Sequence, residues 1–257
     1  MKEQMNMSIS GSSSMPGGEY DKVSISGAGK VKGNLRCTRL HCSGAAQIEG
    51  DVCCAEEIRG SGAVRIAGSA QCGQLSASGS FHVETAMQVQ TRASVSGSVQ
   101  IGTQLTADEI STSGCLQAGS VRCRSYSGSG SCRIAGDLEA ESVSLSGGVE
   151  ISGLLNAESV VLSPNRLVRI GAIGGGQIRI VSENAPAFFG LFHSNPGCAR
   201  IGTIEGDDVE LEYVEAEIVR GKYVRIGRGC RIGTVEYGEN LEAEPGTVSR
   251  STQTGAE

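Results

Sequence analysis

Residues 23–40, VSISGAGKVKGNLRCTRL, contain one complete unit of the pattern that decides the fold. Apolar residues at Val23, Ile25, Val31 and Leu35 alternate with polar or small neighbours. This two-residue period is typical of a strand with one buried face. Glycines interrupt the alternation, and glycine is a residue of tight turns. The unit therefore predicts about three short strands that are bent at Gly-rich corners.

The same unit recurs through most of the chain. A Ser-Gly pair marks each copy at nearly constant spacing, with its glycine at Gly27, Gly44, Gly62, Gly79, Gly97, Gly114, Gly130 and Gly147. A single unit cannot bury its own apolar face, whereas stacked units cover one another. The sequence thus predicts an all-β fold, a single-stranded β-helix (solenoid) with about 17 residues per coil.

The composition agrees with such a core and excludes several classes of function. The chain of 257 residues has 38 Gly, 5 Pro, no Trp and a net charge of -6. Lys and Arg are scattered singly, which argues against a nucleic-acid partner. There is no apolar run of membrane-spanning length, and the start MKEQMNMSIS lacks the apolar stretch of a secretory signal. We expect the chain to be cytoplasmic and its cysteines to be reduced. The chain can also lie peripherally at the inner membrane.

The pattern also predicts the domain organisation. We expect a disordered N-terminal tail over residues 1–20, a β-helix of serial Ser-Gly repeats over 21–163, its continuation over 164–238, and a disordered C-terminal tail over 239–257. The continuation contains the equally spaced copies VRIGAI, ARIGTI and CRIGTV, which begin at Val168, Ala199 and Cys230. Residues 182–198, rich in Phe and Pro, interrupt the alternation and predict a looped-out insertion.

No residue is a candidate for a catalytic, cofactor-binding or metal-binding role. The cysteines come closest to chemistry, and four of them occupy one position of the repeat: Cys37, Cys54, Cys72 and Cys123. Other copies place Val or Ala there, which favours a small apolar core residue. The paired spacing of a zinc site is absent. We therefore expect no enzyme activity, no cofactor and no small-molecule substrate.

Two sets of residues are candidates for contacts with other molecules. The ends of a stack of coils leave strand edges unpaired, and such edges recruit other chains. The predicted polymer interface comprises Val23, Ile25, Val31 and Leu35 at the first face and Val224, Ile226, Ile232 and Val235 at the last. The predicted partner or membrane patch comprises Phe188, Phe189, Leu191 and Phe192 in the insertion and Met5, Met7 and Ile9 in the N-terminal tail.

Two stretches carry a resemblance to a known family. The VSISGxGKVxG coils of residues 19–163 and the segment IEGDDVELEYVEAEIVRGKYVRIGRGCRIGTVEY of residues 204–237 resemble the bactofilins, polymer-forming bacterial cytoskeletal proteins, in the longer form of Bacillus-like bacteria. The resemblance implies a right-handed β-helix, filament assembly through the helix ends without nucleotide, and cytoplasmic location with membrane association in some members. The long N-terminal array and the insertion depart from the compact form of the family.

We therefore expect a homopolymeric cytoskeletal scaffold that positions other proteins, in cell shape, envelope assembly or motility. One alternative is a left-handed β-helix acyltransferase of the hexapeptide type, whose coils have a similar length. Such enzymes need an aliphatic residue at every sixth position, and the spacing here is irregular. A second alternative is a surface adhesin with solenoid repeats, against which the missing secretory signal argues.

Overall fold

The computed structural model describes residues 5–181 and 199–254, and every regular element in these two stretches is a β-strand. The strands form a parallel β-solenoid of about 14 turns with about 17 residues per turn, as the repeat predicts. The chain divides into two compact units, Met1–Arg124 and Ser125–Glu257. Residues before and after residue 164 belong to one ladder, in which Val149 pairs with Val168.

The described residues of the first unit form fourteen strands. They are β1 (Met7–Ile9), β2 (Ser12–Ile25), β3 (Ala28–Cys42), β4 (Ala45–Ile48), β5 (Val52–Gly60), β6 (Ala63–Ile66), β7 (Ala70–Cys72), β8 (Gln74–Ala77), β9 (Ser80–Val83), β10 (Met87–Val89), β11 (Arg92–Val95), β12 (Ser98–Thr106), β13 (Glu109–Thr112) and β14 (Cys115–Arg122).

The second unit contains nine strands among its described residues. They are β15 (Ser125–Gly128), β16 (Ser131–Ile134), β17 (Leu138–Ser146), β18 (Gly148–Ser163), β19 (Val168–Ile180), β20 (Ala199–Leu211), β21 (Val214–Ile226), β22 (Arg231–Ala243) and β23 (Val248–Gln253). Residues 182–198, the predicted insertion, lie outside the described residues.

Each coil has three sides, as the turn of β6, β7 and β8 illustrates. These strands have four, three and four residues, and Gly or Ser lies near the bends between them. Each pairs in parallel with its counterpart in the next turn, β9, β10 and β11. We call the three sides of a coil the first, second and third strand. Long strands such as β3 continue around a corner and supply more than one side.

Inward side chains of successive coils stack in ladders. Val31 pairs with Ile48, and Ile48 pairs with Ile66, and all three side chains are fully buried. Burial of each such side chain contributes about 1.5–3 kcal/mol before the entropic cost of ordering the chain. The outward neighbours Gln47 and Arg65 are exposed. The alternation in the sequence thus corresponds to the inside and outside of the coil.

The recurring Ser-Gly pair has a steric cause. A Cβ atom added to Gly44 would lie 2.1 Å from the carbonyl oxygen of Gly27, and one added to Gly62 would lie 2.0 Å from that of Gly44. The same overlap recurs at Gly79, at 2.1 Å from the oxygen of Gly62. Each glycine lies directly against the backbone of the preceding coil, so no side chain fits there. Gly11, in the first described coil, has no heavy atom within 4 Å of its Cβ position.

Short polar side chains hold the corner between the first and second strands. The side-chain oxygen Oδ1 of Asn34 accepts a hydrogen bond from the backbone N–H of Asp51 at 2.9 Å. Oδ1 of Asp51 in turn accepts from the backbone N–H and the hydroxyl of Ser69, at 2.7 and 2.8 Å. These bonds link one coil to the next where the strand ladder is interrupted. The two bonds from Ser69 lower the pKa of Asp51, chiefly the bond from the backbone N–H.

The lowered pKa of Asp51 makes this corner sensitive to acid. A carboxylate whose pKa is lower in the folded than in the unfolded state stabilises the fold above the unfolded value, about 3.9, and the contribution is lost as the pH falls through the folded value. We expect the difference in unfolding midpoint between wild type and Asp51→Ala to shrink as the pH falls below about 4. Urea titrations across this range measure it. The difference in unfolding midpoint between wild type and Ser69→Ala should depend less on pH. A difference between wild type and Asp51→Ala that stays constant as the pH falls would contradict the role assigned to Asp51.

The structure corrects the prediction of disordered tails. Residues 7–9 and 12–20 are strands that pair with the adjacent coil, and so are residues 240–243 and Val248–Gln253. Methionine replaces the β-branched residues at Met7 and Met15, which weakens the strand pattern in the sequence. Pro16 also departs from the strand pattern, and the ladder with the adjacent coil shifts register between Pro16 and Gly18.

Candidate assembly surfaces

The outermost described layer of the first unit consists of β1 and residues 12–20 of β2, and we call it the N-terminal outer layer. β1 pairs with the end of β2, so that Met7 lies against Val23 and Ile9 against Ile25. Residues 12–20 pair with β3 on one side, with Met15 against Val31. On the other side, no strand in the described part of the chain pairs with β1 or with residues 12–20. This layer therefore presents a parallel strand edge.

The N-terminal outer layer has the sequence of an interior coil. Residues 7–11, MSISG, match residues 23–27, VSISG, at every position but the first. Ile9 and Met15 are buried against the coil below, and Tyr20 is nearly so. Residues 7–15 contain no charged side chain, whereas Pro16 and the register shift between Pro16 and Gly18 interrupt the ladder further along the layer. The stretch 7–15 thus keeps the pattern of an interior coil.

The outermost described layer of the second unit consists of residues 240–243 and β23, and we call it the C-terminal outer layer. Leu241 lies against Val224 and Ala243 against Ile226, while Val248 lies against Ile232. Leu241 and Val248 are half-buried and Ala243 is exposed. Within residues 199–254 and the other described residues, no strand covers the far side of this layer. It presents a second parallel strand edge.

The eight residues predicted as the polymer interface lie one coil deeper than predicted. Val23, Ile25, Val31, Leu35, Val224, Ile226, Ile232 and Val235 are each at most 2% exposed. The first four are covered by β1 and β2, and the last four by the C-terminal outer layer. A lysine at Ile25 would therefore disturb folding. The predicted interface left out the outer residues Met15, Leu241 and Val248, and Met7 was predicted for the partner or membrane patch only.

A weak signal for the N-terminal layer is present in the sequence. The Ser10-Gly11 pair precedes Ser26-Gly27 by one period of the repeat. The C-terminal layer has no such signal, because Glu239, Glu242 and Glu244 interrupt the apolar pattern there. Glu242 and Glu239 instead pair sideways with the preceding coil, through Arg225 at 3.0 Å and through the Tyr223 hydroxyl.

The predicted partner or membrane patch is only partly described. Phe188, Phe189, Leu191 and Phe192 lie outside the described residues. In the N-terminal segment, Met5 is 66% exposed, Met7 is half-buried and Ile9 is 5% exposed. Because Ile9 points inward and packs on Ile25, it is not available to a lipid surface. Only Met5 of this trio remains a strongly exposed apolar side chain.

The cysteines of the shared repeat position are core residues, as predicted. Cys37, Cys54, Cys72 and Cys123 are at most 8% exposed, and Cys37 lies directly against Cys54 in the next coil. Burial raises the pKa of Cys72 to about 12. The hydrogen bond from Cys37 lowers the pKa of Cys54, and the same contact raises that of Cys37. Protonated, enclosed thiols such as Cys72 suit packing better than nucleophilic attack.

Residues 5–181 and 199–254 contain no cluster of three or more His, Cys, Asp or Glu side chains arranged to hold a metal ion. The same stretches contain no helix of the length and apolar character needed to cross a membrane.

Comparison with known proteins assigns no family to the chain. No protein-family model matches the chain, and no solved structure matches it. A segment of 55 residues is 49% identical to YhbF of Bacillus subtilis (strain 168), a protein described as uncharacterized. The segment covers 21% of this chain and 23% of that protein. The similarity thus spans less than a quarter of either protein.

Proposed function

We propose that this protein is a non-enzymatic cytoskeletal scaffold of the bactofilin type, which polymerises end to end without nucleotide. The observation that carries the proposal is the pair of outer layers. Each is a regular coil of the solenoid with a parallel strand edge that pairs with no other described strand. Open edges of this kind are templates for pairing with another chain. A β-solenoid is also a fold consistent with such a scaffold.

The driving force follows from the stacking of coils. Inside each unit, a coil gains backbone hydrogen bonds and a covered apolar ladder from both neighbours, as Ile48 does between Val31 and Ile66. An outer coil has one such neighbour among the described residues. Contact between the outer layers of two molecules would supply the second. Because this gain needs no chemical step, we propose that assembly proceeds without ATP or GTP.

The proposal extends to partners and location. We propose that the filament acts in the cytoplasm, in part at the inner membrane, and that it positions other proteins. Its outward surface suits this role, because outward side chains form columns of exposed ion pairs such as Arg133–Glu150 and Arg200–Glu215. Each exposed ion pair stabilises the fold by at most about 1 kcal/mol. The residues of these columns can therefore be substituted with little effect on the stability of the fold. We propose no nucleic-acid or small-molecule ligand.

The proposal predicts filaments of purified full-length protein in reducing buffer with EDTA and no nucleotide. Negative-stain electron microscopy and sedimentation should show polymer above a threshold protein concentration. Addition of ATP or GTP with Mg²⁺ should leave the sedimented fraction unchanged. Single particles at every concentration, or polymer that forms only with nucleotide, would refute the proposal.

The acyltransferase alternative is not favoured. Its repeat needs three equal sides with an aliphatic residue at every sixth position, whereas a coil here has strands of four, three and four residues with unequal corners. Isothermal titration with acetyl-CoA distinguishes the two functions. The scaffold should release no heat of binding, and saturable binding of acetyl-CoA would support the enzyme instead.

A further inference from the structure

Two of the buried cysteines touch each other across neighbouring coils. Cys37 in β3 lies directly against Cys54 in β5, and the thiol of Cys37 donates a hydrogen bond to the sulfur of Cys54. Both side chains point into the core, where Cys37 is 7% and Cys54 is 2% exposed. Neighbouring strands of a sheet lie about 4.7–4.9 Å apart, which is within the range of about 4.4–6.8 Å between the Cα atoms of a disulfide. The geometry therefore admits a disulfide between the two coils with little movement of the backbone.

We propose that Cys37 and Cys54 are a redox-active pair, which a peroxide converts into a disulfide that joins two neighbouring coils of the first unit. Disulfides in reducing compartments are usually transient and often sense the redox state. The bond would tie the two coils together and make the stability of the first unit depend on redox conditions. Because the pair lies between interior coils, its oxidation does not depend on the assembly of the protein.

The oxidation proceeds in two steps. The thiolate of one cysteine attacks the O–O bond of the peroxide, which gives a sulfenic acid (S–OH) and releases an alcohol, or water from hydrogen peroxide. The second cysteine then attacks the sulfur of the sulfenic acid, so that the S–S bond forms and the hydroxyl group leaves as water. Two electrons pass from the two sulfurs to the peroxide, and both thiol protons end on the oxygen products.

The surroundings of Cys54 favour the thiolate, which is the form of cysteine that attacks. The hydrogen bond from Cys37 lowers the pKa of Cys54 most, and backbone groups of Glu56 and Glu57 lower it further, whereas burial raises it. Cys54 is therefore the sulfur that we expect to react first. The same contact raises the pKa of Cys37, and this effect is lost once Cys54 is a neutral sulfenic acid. The first step thus prepares Cys37 for the second.

An irregularity of the ladder follows the pair directly. The register between β3 and β5 shifts between Cys37 and Arg39, where residues 55–56 of β5 lie opposite the single residue Thr38. The sulfur of Cys54 lies 3.2 Å from the carbonyl oxygen of Thr38, at this irregularity. Such bulges interrupt the strand pairing and are frequent next to active sites. We expect the coils to open locally here more readily than elsewhere, which gives a small peroxide access to the sulfurs.

Cys72 occupies the same repeat position one coil further on but lacks these features. It is fully buried, and burial raises its pKa to about 12. It pairs with Val89 of the next coil, in a ladder without a register shift. A buried and protonated thiol reacts slowly with peroxides. We therefore expect Cys72 to stay reduced under conditions that oxidise the pair Cys37–Cys54, which makes it the matched control.

Peptide mapping after oxidation tests the proposal. Full-length protein is reduced, freed of reductant, treated with hydrogen peroxide, alkylated and digested with trypsin without further reduction. We expect a disulfide between the tryptic peptides of residues 37–39 and 40–59. The intact chain should lose about 2 Da, the mass of two hydrogens, and should return to its original mass with dithiothreitol.

Variants assign the sulfur atoms, because the peptide of residues 40–59 also contains Cys42 and Cys53. Cys54→Ala should abolish the cross-link to the peptide of residues 37–39. Cys53→Ser, which changes an exposed residue, and Cys72→Ala should leave the yield of the cross-link unchanged.

A second measurement covers the effect of the bond on the fold. Alanine occupies this repeat position in other coils, as buried Ala107 and Ala157, so Cys54→Ala should fold. Oxidation should raise the urea midpoint of wild type, and it should leave that of Cys54→Ala unchanged.

Two results would overturn the proposal. One is that both Cys37 and Cys54 are still alkylated after treatment with peroxide. The other is that Cys54 is oxidised to the sulfinic acid without a cross-link, or that cross-links to Cys72 form in equal yield.

Discussion

Gly79→Ala should destabilise the first unit by about 3 kcal/mol or more, a large part of the roughly 5–15 kcal/mol that stabilises a typical domain. The new Cβ would lie 2.1 Å from the carbonyl oxygen of Gly62 and 2.5 Å from that of Ser61. Both are backbone atoms of the preceding coil, so the overlap can be relieved only by separating the two coils. Separation would break hydrogen bonds such as Ser78 N–H to Gly60 O at 2.9 Å. Urea unfolding followed by circular dichroism measures the change.

Gly11→Ala is the matched control for this prediction. It makes the same chemical change at the same repeat position, but with no atom within 4 Å of the new methyl group. We expect a change of at most about 0.5 kcal/mol in the protomer. Equal losses at Gly11 and Gly79 would show that the glycines act through backbone flexibility, and the steric account of the Ser-Gly repeat would be wrong.

Ile48→Asp should have an effect of similar size for a different reason. The Ile48 side chain is fully buried and lies between Val31 and Ile66 in one ladder. An aspartate there would bury a charge without a partner and remove an apolar contact from both neighbouring coils. We expect a loss of about 3–5 kcal/mol, measured as a shift of the unfolding midpoint at pH 7.

Gln47→Asp tests whether the inside and outside of the coil are assigned correctly. Gln47 precedes Ile48 and is exposed, since successive side chains of a strand point to opposite faces. The substitution should change stability by no more than about 0.5 kcal/mol. A larger loss at Gln47 than at Ile48 would mean that the strand has the opposite register.

Much of the fold was predictable because stacking repeats the same chemistry in every coil. The ladder Val31, Ile48 and Ile66 could be read from spacing alone, and the structure pairs these residues directly. The position shared by Cys37 and Cys54 was predicted as core for the same reason, and it is. A repeat this short and this regular leaves few other ways to bury an alternating face.

The outer layers were less predictable because they are covered on one side only. An edge strand keeps fewer apolar residues, so Ala243 and Ser251 stand where interior coils have Ile226 and Val235. The prediction interpreted the loss of the apolar pattern in the outer layers as disorder. It therefore placed the candidate interface one coil too deep. Spacing also cannot show that a glycine such as Gly11 faces open space, since that depends on which coils are present.

Hydrogen–deuterium exchange on assembled and dilute protein is the most direct test of the claim that the outer layers pair between molecules. In residues 12–20 and in Val248–Gln253, the amides that face away from the adjacent coil should exchange rapidly in dilute protein and become protected after assembly. Amides of the interior strand Ala63–Ile66 should be protected in both states. Protection confined to other surfaces, or unchanged exchange of both outer layers in assembled protein, would contradict end-to-end assembly through these edges.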